Sequence, residues 1–108
     1  MPIYNKLVRD LIPQIIEADG KTCVTQTLNE TQYIAELNKK MHEELAEYEE
    51  ADTAEAAVEE LSDLLELIHA AANHHGVTVE ELETVRAEKA SARGGFTDRI
   101  FLVEVQDD

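Results

Sequence analysis

The acidic residues of this chain include two short pairs whose spacing allows chemistry. Glu44 and Glu47 form one pair, and Glu60 and Asp63 the other, each at i and i+3. Residues at that spacing share one face of a helix. At about 100° per residue, Glu44 falls among Leu37, Met41 and Tyr48, inside an apolar stripe, with Glu47 and Lys40 at its edge. Glu43, Glu49 and Glu50 point away from that stripe and are expected to be solvated. In the second segment, Leu61, Leu65, Ile68 and Ala72 define one apolar face, and Ala56, Leu67, Ala70 and Ala71 a second. Glu60 and Asp63 lie within or beside the second face. This segment therefore reads as a helix covered on two sides, with carboxylates aimed into one of them.

A buried carboxylate without a partner either destabilises the fold or takes up a proton through a raised pKa. Two such pairs on neighbouring helices also repel each other. A shared hard cation relieves both problems. Four converging carboxylates suit magnesium, which takes oxygen ligands, keeps some of its waters and meets substrate phosphates; manganese is a reasonable substitute. The other form of relief is salt bridging by Lys39, Lys40 or Arg93, and the pattern alone leaves both open. Zinc fits poorly, since none of His69, His74 and His75 forms a zinc-type spacing with the single cysteine, Cys23. Cys23 reads as a small apolar filler.

Few cations are available to meet an anion. Lys89 and Arg93 are four residues apart and precede Gly94-Gly95, where the backbone can approach a ligand closely. They read either as a phosphate clamp or as the favourable cations and glycine stop of a helix C-terminus. Lys6 and Arg9 are helical neighbours followed by Asp10. They read either as phosphate or ribose contacts or as a surface ion pair of little energetic value. Lys40, beside the first acidic pair, is a further candidate for substrate contact.

Helices must position these residues. Apolar residues from Ile3 to Ala18 recur at helical spacing, interrupted by Pro13, which separates a short turn from a helix that it begins. Gly20 is a stop. Thr22 to Leu28, rich in Thr and Val, reads as a short strand. Asn29 with Gln32 makes a capping box that opens a helix running to about Ala51. Thr53 caps the next helix, which runs from Ala54 to His74 or His75 and ends at Gly76. Thr78 with Glu81 opens a last helix, broken at Gly94-Gly95, and Ile100 to Val105 reads as a terminal strand. The expected architecture is mainly α, with two short β-strands that pair with each other or across a dimer and need a helix beneath them.

The 108 residues are enough for one domain, read here as 1–108. A formal net charge of −15 disfavours nucleic-acid polymers and anionic membranes as partners. No apolar run is long enough to span a bilayer. Charged residues interrupt the N-terminus too early for a signal peptide, so a cytoplasmic location is expected. A domain this small buries a modest fraction of its surface, and self-association as a homodimer or higher homo-oligomer would bury more.

The run Glu43-Glu44-x-x-Glu47 followed by Glu60-x-x-Asp63 resembles the EExxE…ExxD signature of the all-α nucleotide pyrophosphohydrolase superfamily. That group includes MazG-like proteins, dimeric dUTPases and phosphoribosyl-ATP pyrophosphohydrolases. Two flanking stretches extend the resemblance over most of the chain. Lys6-Leu7-Val8-Arg9-Asp10-Leu11-Ile12-Pro13 is similar to the opening of a small MazG-like subgroup, and Lys89 with Arg93-Gly94-Gly95-Phe96 to its closing motif. The resemblance implies a helical bundle with a magnesium site. The implied reaction cleaves a nucleoside triphosphate or related nucleotide to the monophosphate and pyrophosphate. Carried over by position, Glu44, Glu47, Glu60 and Asp63 are the metal ligands and catalytic carboxylates. Lys6, Arg9, Lys40, Lys89 and Arg93 are then candidates for substrate contact. Glu43 matches the first signature position, but its wheel angle argues against direct ligation. The chain departs from full-length MazG proteins in having one short domain where they have two. A reading of a different class remains beside this one: a non-catalytic acidic helical module that binds a partner protein through its apolar faces.

Overall fold

A computed structural model of the chain describes residues 2–106, and among these the regular elements are four helices. They are α1 (Ile12–Ala18), α2 (Glu30–Glu50), α3 (Ala54–His74) and α4 (Val79–Arg93). Each starts and stops for reasons visible in the local sequence. Pro13 stands in the first turn of α1, where its missing N–H is not needed. Gly20, at φ +81°, ends that helix, and the N–H of Lys21 returns to the Ile16 carbonyl at 3.2 Å.

Asn29 and Gln32 form a reciprocal capping box at the start of α2, with the Gln32 N–H donating to Asn29 Oδ1 at 2.8 Å. Thr53 Oγ1 accepts from the Ala56 N–H at 3.1 Å to cap α3. Between these two helices lie three residues, Ala51, Asp52 and Thr53. Gly76, also at φ +81°, ends the turn after α3. At the start of α4 the Thr78 hydroxyl accepts from the Glu81 N–H at 3.1 Å.

Several sequence expectations require correction. Lys6 and Arg9, expected as helical neighbours, lie in irregular chain before α1, which begins only at Ile12. Thr22–Leu28 and Ile100–Val105 are not strands; no strand is present among the described residues. Both segments lie exposed, with no helix beneath them. A two-stranded ribbon without cover is marginal in water, which is the physical reason their β-propensity goes unrealised in a single chain. Cys23, expected as an apolar filler, is exposed as well.

A further correction concerns α3. It packs against α2 as an antiparallel hairpin and makes only a small contact with α4. One side is therefore covered, while Val58, Leu61, Leu65 and Ile68 face outward. Leu37, at 1% exposure, is the only buried apolar side chain among the described residues. The radius of gyration is 18.6 Å with extents of 68 × 36 × 23 Å, against roughly 13 Å for a compact domain of this length. No described helix is long and apolar enough to cross a membrane.

With so thin a core, the hairpin depends on few contacts. Leu37→Ala is expected to lose about 2–5 kcal/mol by cavity formation, and Thr53→Ala about 1 kcal/mol by loss of its cap. Urea unfolding followed by circular dichroism checks both. A loss under about 1 kcal/mol for Leu37→Ala would show that the α2–α3 seam is not where stability resides.

Candidate metal centre at the α2–α3 seam

Glu44 lies one full heptad after Leu37, so the same face of α2 that buries Leu37 turns Glu44 toward α3. Glu44 is 8% exposed and is the only buried polar or charged residue among those described. Glu60 enters the seam from α3 and is half-buried, and Glu47 sits at its exposed edge. One carboxylate oxygen from each of Glu44, Glu47 and Glu60 lies within 4.8 Å of the others. The helical-wheel expectation for Glu44 and Glu60 therefore holds, with Glu47 nearer solvent. Glu43 is exposed, as its wheel angle required.

Glu44 Oε2 and Glu60 Oε2 are both buried without a hydrogen-bond partner. A carboxylate offers only acceptors, so two facing carboxylates can hydrogen-bond only when one carries a proton. This crowding pushes the Glu47 carboxyl above its usual value, first through its contact with Glu60, then through burial and the Glu60 charge. Glu44 on one side and the Lys40 charge on the other offset part of the rise. Glu60 is pushed up in the same direction, first by its contact with Glu44, then by burial and the charges of Glu44 and Asp63, with Glu47 acting the opposite way. The seam therefore concentrates negative charge that the protein's own donors do not neutralise. Hard oxygen donors within 4.8 Å and two orphaned buried oxygens fit a divalent cation of the magnesium type.

Asp63 is not part of this triad. It accepts a hydrogen bond from Arg9 Nη2 at 2.7 Å, and both side chains are about half exposed. This pair joins the irregular segment before α1 to α3 across 54 positions of sequence. Lys39, Lys40 and Arg93 make no ion pair among the described residues, and the ion pair nearest the triad is that of Arg9 with Asp63. An Arg–carboxylate pair between segments so distant leaves no periodic signal in the sequence. Lys40 is half-buried beside Glu47 without a direct ion pair. Lys6 lies over the Tyr4 ring at 5.5 Å from its centroid. Lys89 and Arg93 are exposed on α4 and form no ion pair with the triad among the described residues. The chain alone therefore does not bring the five cations together around the carboxylates.

A second concavity went unread in the sequence. An open cleft of about 520 Å³ lies among Asp10, Tyr33, Glu66, Asn73 and His74. His74 meets Tyr33 edge-on at 6.0 Å and His75 at 5.1 Å. In the sequence His74 stands only among three histidines whose spacing fits zinc poorly. The spacing of Glu66, Ala70 and Asn73 on one face of α3 was the available signal.

Among known proteins, the chain is similar to an uncharacterized protein of Mycolicibacterium smegmatis, with 50% identity over 54 residues. That stretch is 50% of this chain and 55% of the relative's length, so the chain spans about half of the protein it matches. No family model matches the chain, and no solved structure matches it.

Raised carboxyl pKa values set the direction of the pH dependence. The unfolded chain loses these protons near 4.5, while the folded chain holds them to higher pH. Between those limits the native state binds more protons than the unfolded state, so stability falls as pH rises. The penalty is absent below about the unfolded value and complete above the folded one. In chelator and without added metal, Glu60→Gln is expected to raise Tm at neutral pH and to flatten the decline. Melting curves across pH check this; an unchanged slope would show that the seam carboxylates ionise without penalty.

Proposed function

We propose that the chain is a magnesium-dependent nucleotide pyrophosphohydrolase of MazG-like type, acting on a nucleoside triphosphate or a related nucleotide. The observation that carries this reading is the gathering of Glu44, Glu47 and Glu60 with two buried, unpartnered oxygens. The resemblance of the EExxE…ExxD pattern and of both flanking motifs supports the same reading. Manganese serves as a substitute cation.

Glu44 and Glu60 supply the inner donors, because their oxygens are the ones without protein partners. Asp63, the fourth position of the pattern, stands beside them in the grip of Arg9. A divalent cation held by these groups supplies charge neutralisation for the phosphate chain and acidifies water. Glu47 then orients a water and takes its proton, a role supported by its exposure at the mouth and its raised pKa. The bond broken is a phosphoanhydride, leaving the monophosphate and pyrophosphate. Arg9 and Lys40 are the cations nearest the carboxylates and contact substrate phosphates. Lys6, Lys89 and Arg93 join them from the segment before α1 and from α4 in an assembly of at least two copies.

A second reading, a non-catalytic module that binds a partner through its apolar faces, is favoured by one observation: the outward face of α3 is uncovered. Magnesium separates the two. For a metal site, the ion at about 100 times its Kd adds roughly 2.7 kcal/mol of stability, seen as a rise in Tm that Glu44→Gln abolishes. Wild-type chain with magnesium is expected to release pyrophosphate from some member of a panel of canonical and damaged nucleoside triphosphates and phosphoribosyl-ATP. Glu44→Gln is expected to lower that release by about 10²–10⁴-fold with helicity intact. No Tm shift at millimolar magnesium, together with silence across the panel, would favour the binding module.

A further inference from the structure

The segment after α4 is a run of apolar side chains left in water. Phe96, Ile100, Phe101, Leu102, Val103 and Val105 are all between 73% and 96% exposed. Past Arg99, whose N–H returns to the Phe96 carbonyl at 3.2 Å, the described backbone makes no hydrogen bond with other backbone groups. In extended chain, successive side chains alternate sides. Ile100 and Leu102 then fall on one side, with Phe101, Val103 and Val105 on the other. Both sides are apolar, as in strands covered on both faces, yet nothing among the described residues covers either.

A matching surface exists on the hairpin. At 100° per residue, Leu45 stands about 100° from Glu44 on α2, and Leu61, Leu65 and Ile68 stand about 80–140° from Glu60 on α3, so the hairpin carries an apolar strip turned away from the acidic triad. The apolar side holds a shallow groove of about 340 Å³ lined by Asn38, Met41, His42, Leu45 and Leu64. Leu61, Leu65 and Ile68 lie exposed beside it. No residue lining the groove is acidic, in a chain whose net charge is −15.

We propose that residues 96–105 are an arm that docks across this hairpin face of a second copy of the chain, reciprocally, so that each arm covers the other chain's hairpin. Three observations select a second copy as the occupant. First, one sequence supplies both halves of the contact, as a two-fold interface requires. Second, the six side chains expose on the order of 800 Å², about what one side of a standard stable interface buries. Third, the charges fit. The arm carries Asp98, Arg99 and Glu104, a net of +1 − 2 = −1, so two strongly acidic chains meet through their least charged surfaces. A foreign basic partner would be drawn to the acidic faces instead. The arm in its own chain stays uncovered within a molecule 68 Å long. This inference does not depend on the metal site.

The test uses the full chain. Sedimentation and light scattering at micromolar concentration are expected to give a dimer that tightens as salt screens the repulsion between chains. Phe101→Asp with Val103→Asp is expected to weaken association at least tenfold while circular dichroism keeps its helical signal, and Leu65→Asp to do the same from the receiving face. Hydrogen exchange on the unsubstituted chain adds an independent readout: protection across residues 96–105 should rise with protein concentration. A monomer at about 100 μM, an undiminished dimer in the Phe101/Val103 variant, or concentration-independent exchange of the arm would each overturn the proposal.

Discussion

Three carboxylates share the seam between α2 and α3, and the rest of the molecule is arranged around that concentration of charge. A helical hairpin ordinarily fills such a seam with leucine and alanine. Here Leu37 fills one position and Glu44 takes the equivalent position one heptad later. The buried oxygens of Glu44 and Glu60 find no donor, so the hairpin is held against an electrostatic penalty rather than by a complete core. Buried polar groups are paired in the great majority of native structures, and the exceptions concentrate where a protein uses the strain. Arg9 eases the load at Asp63 from outside the hairpin, and by doing so ties the segment before α1 to the same place.

The hairpin is two-sided. One side gathers acid, while the other presents leucine and isoleucine to water. A single chain with one buried apolar side chain among its described residues and a radius of gyration well above that of a compact domain has little hydrophobic stabilisation of its own. Local devices compensate in part: the capping box at Asn29, the Thr53 and Thr78 caps and the glycine stops at Gly20 and Gly76. Each supplies on the order of 1 kcal/mol, enough to define where helices begin and end but not to replace a core. Acidity and thinness are related. A chain at −15 resists collapse by self-repulsion, and its uncovered apolar surface lies where that repulsion is least.

Local signals in the sequence were read well because their physics is local. Capping residues, proline in a first turn and positive-φ glycines act within a few positions of themselves, and each lies where the spacing expected it. The burial of Glu44 followed from the 3.6-residue period alone. The strands at Thr22–Leu28 and Ile100–Val105 were misread for the opposite reason. β-propensity describes how a side chain fits a half-buried pleated surface, and no such surface is present among the described residues of one chain. The double coverage of α3 failed in the same way, since two apolar faces state a need for cover without saying which molecule provides it. Arg9 reaching Asp63, and the cleft at Tyr33 and His74, required three-dimensional placement that periodicity does not encode.

The short link of Ala51, Asp52 and Thr53 acts as a ruler. Thr53 fixes the first turn of α3, and Tyr48, whose carbonyl receives the Ala51 N–H at 3.2 Å, fixes the last turn of α2. The count of residues between them therefore sets the angular phase at which Glu60 arrives opposite Glu44 and Glu47. Removing Ala54, just after the cap, would turn the rest of α3 by about 100°. That would swing Glu60 out of the seam and Leu61 into its place, with no change in charge. The acidic cluster is thus encoded as much by a length as by its glutamates, and chain-length variation is better tolerated after Gly76 or Gly94 than between these two helices.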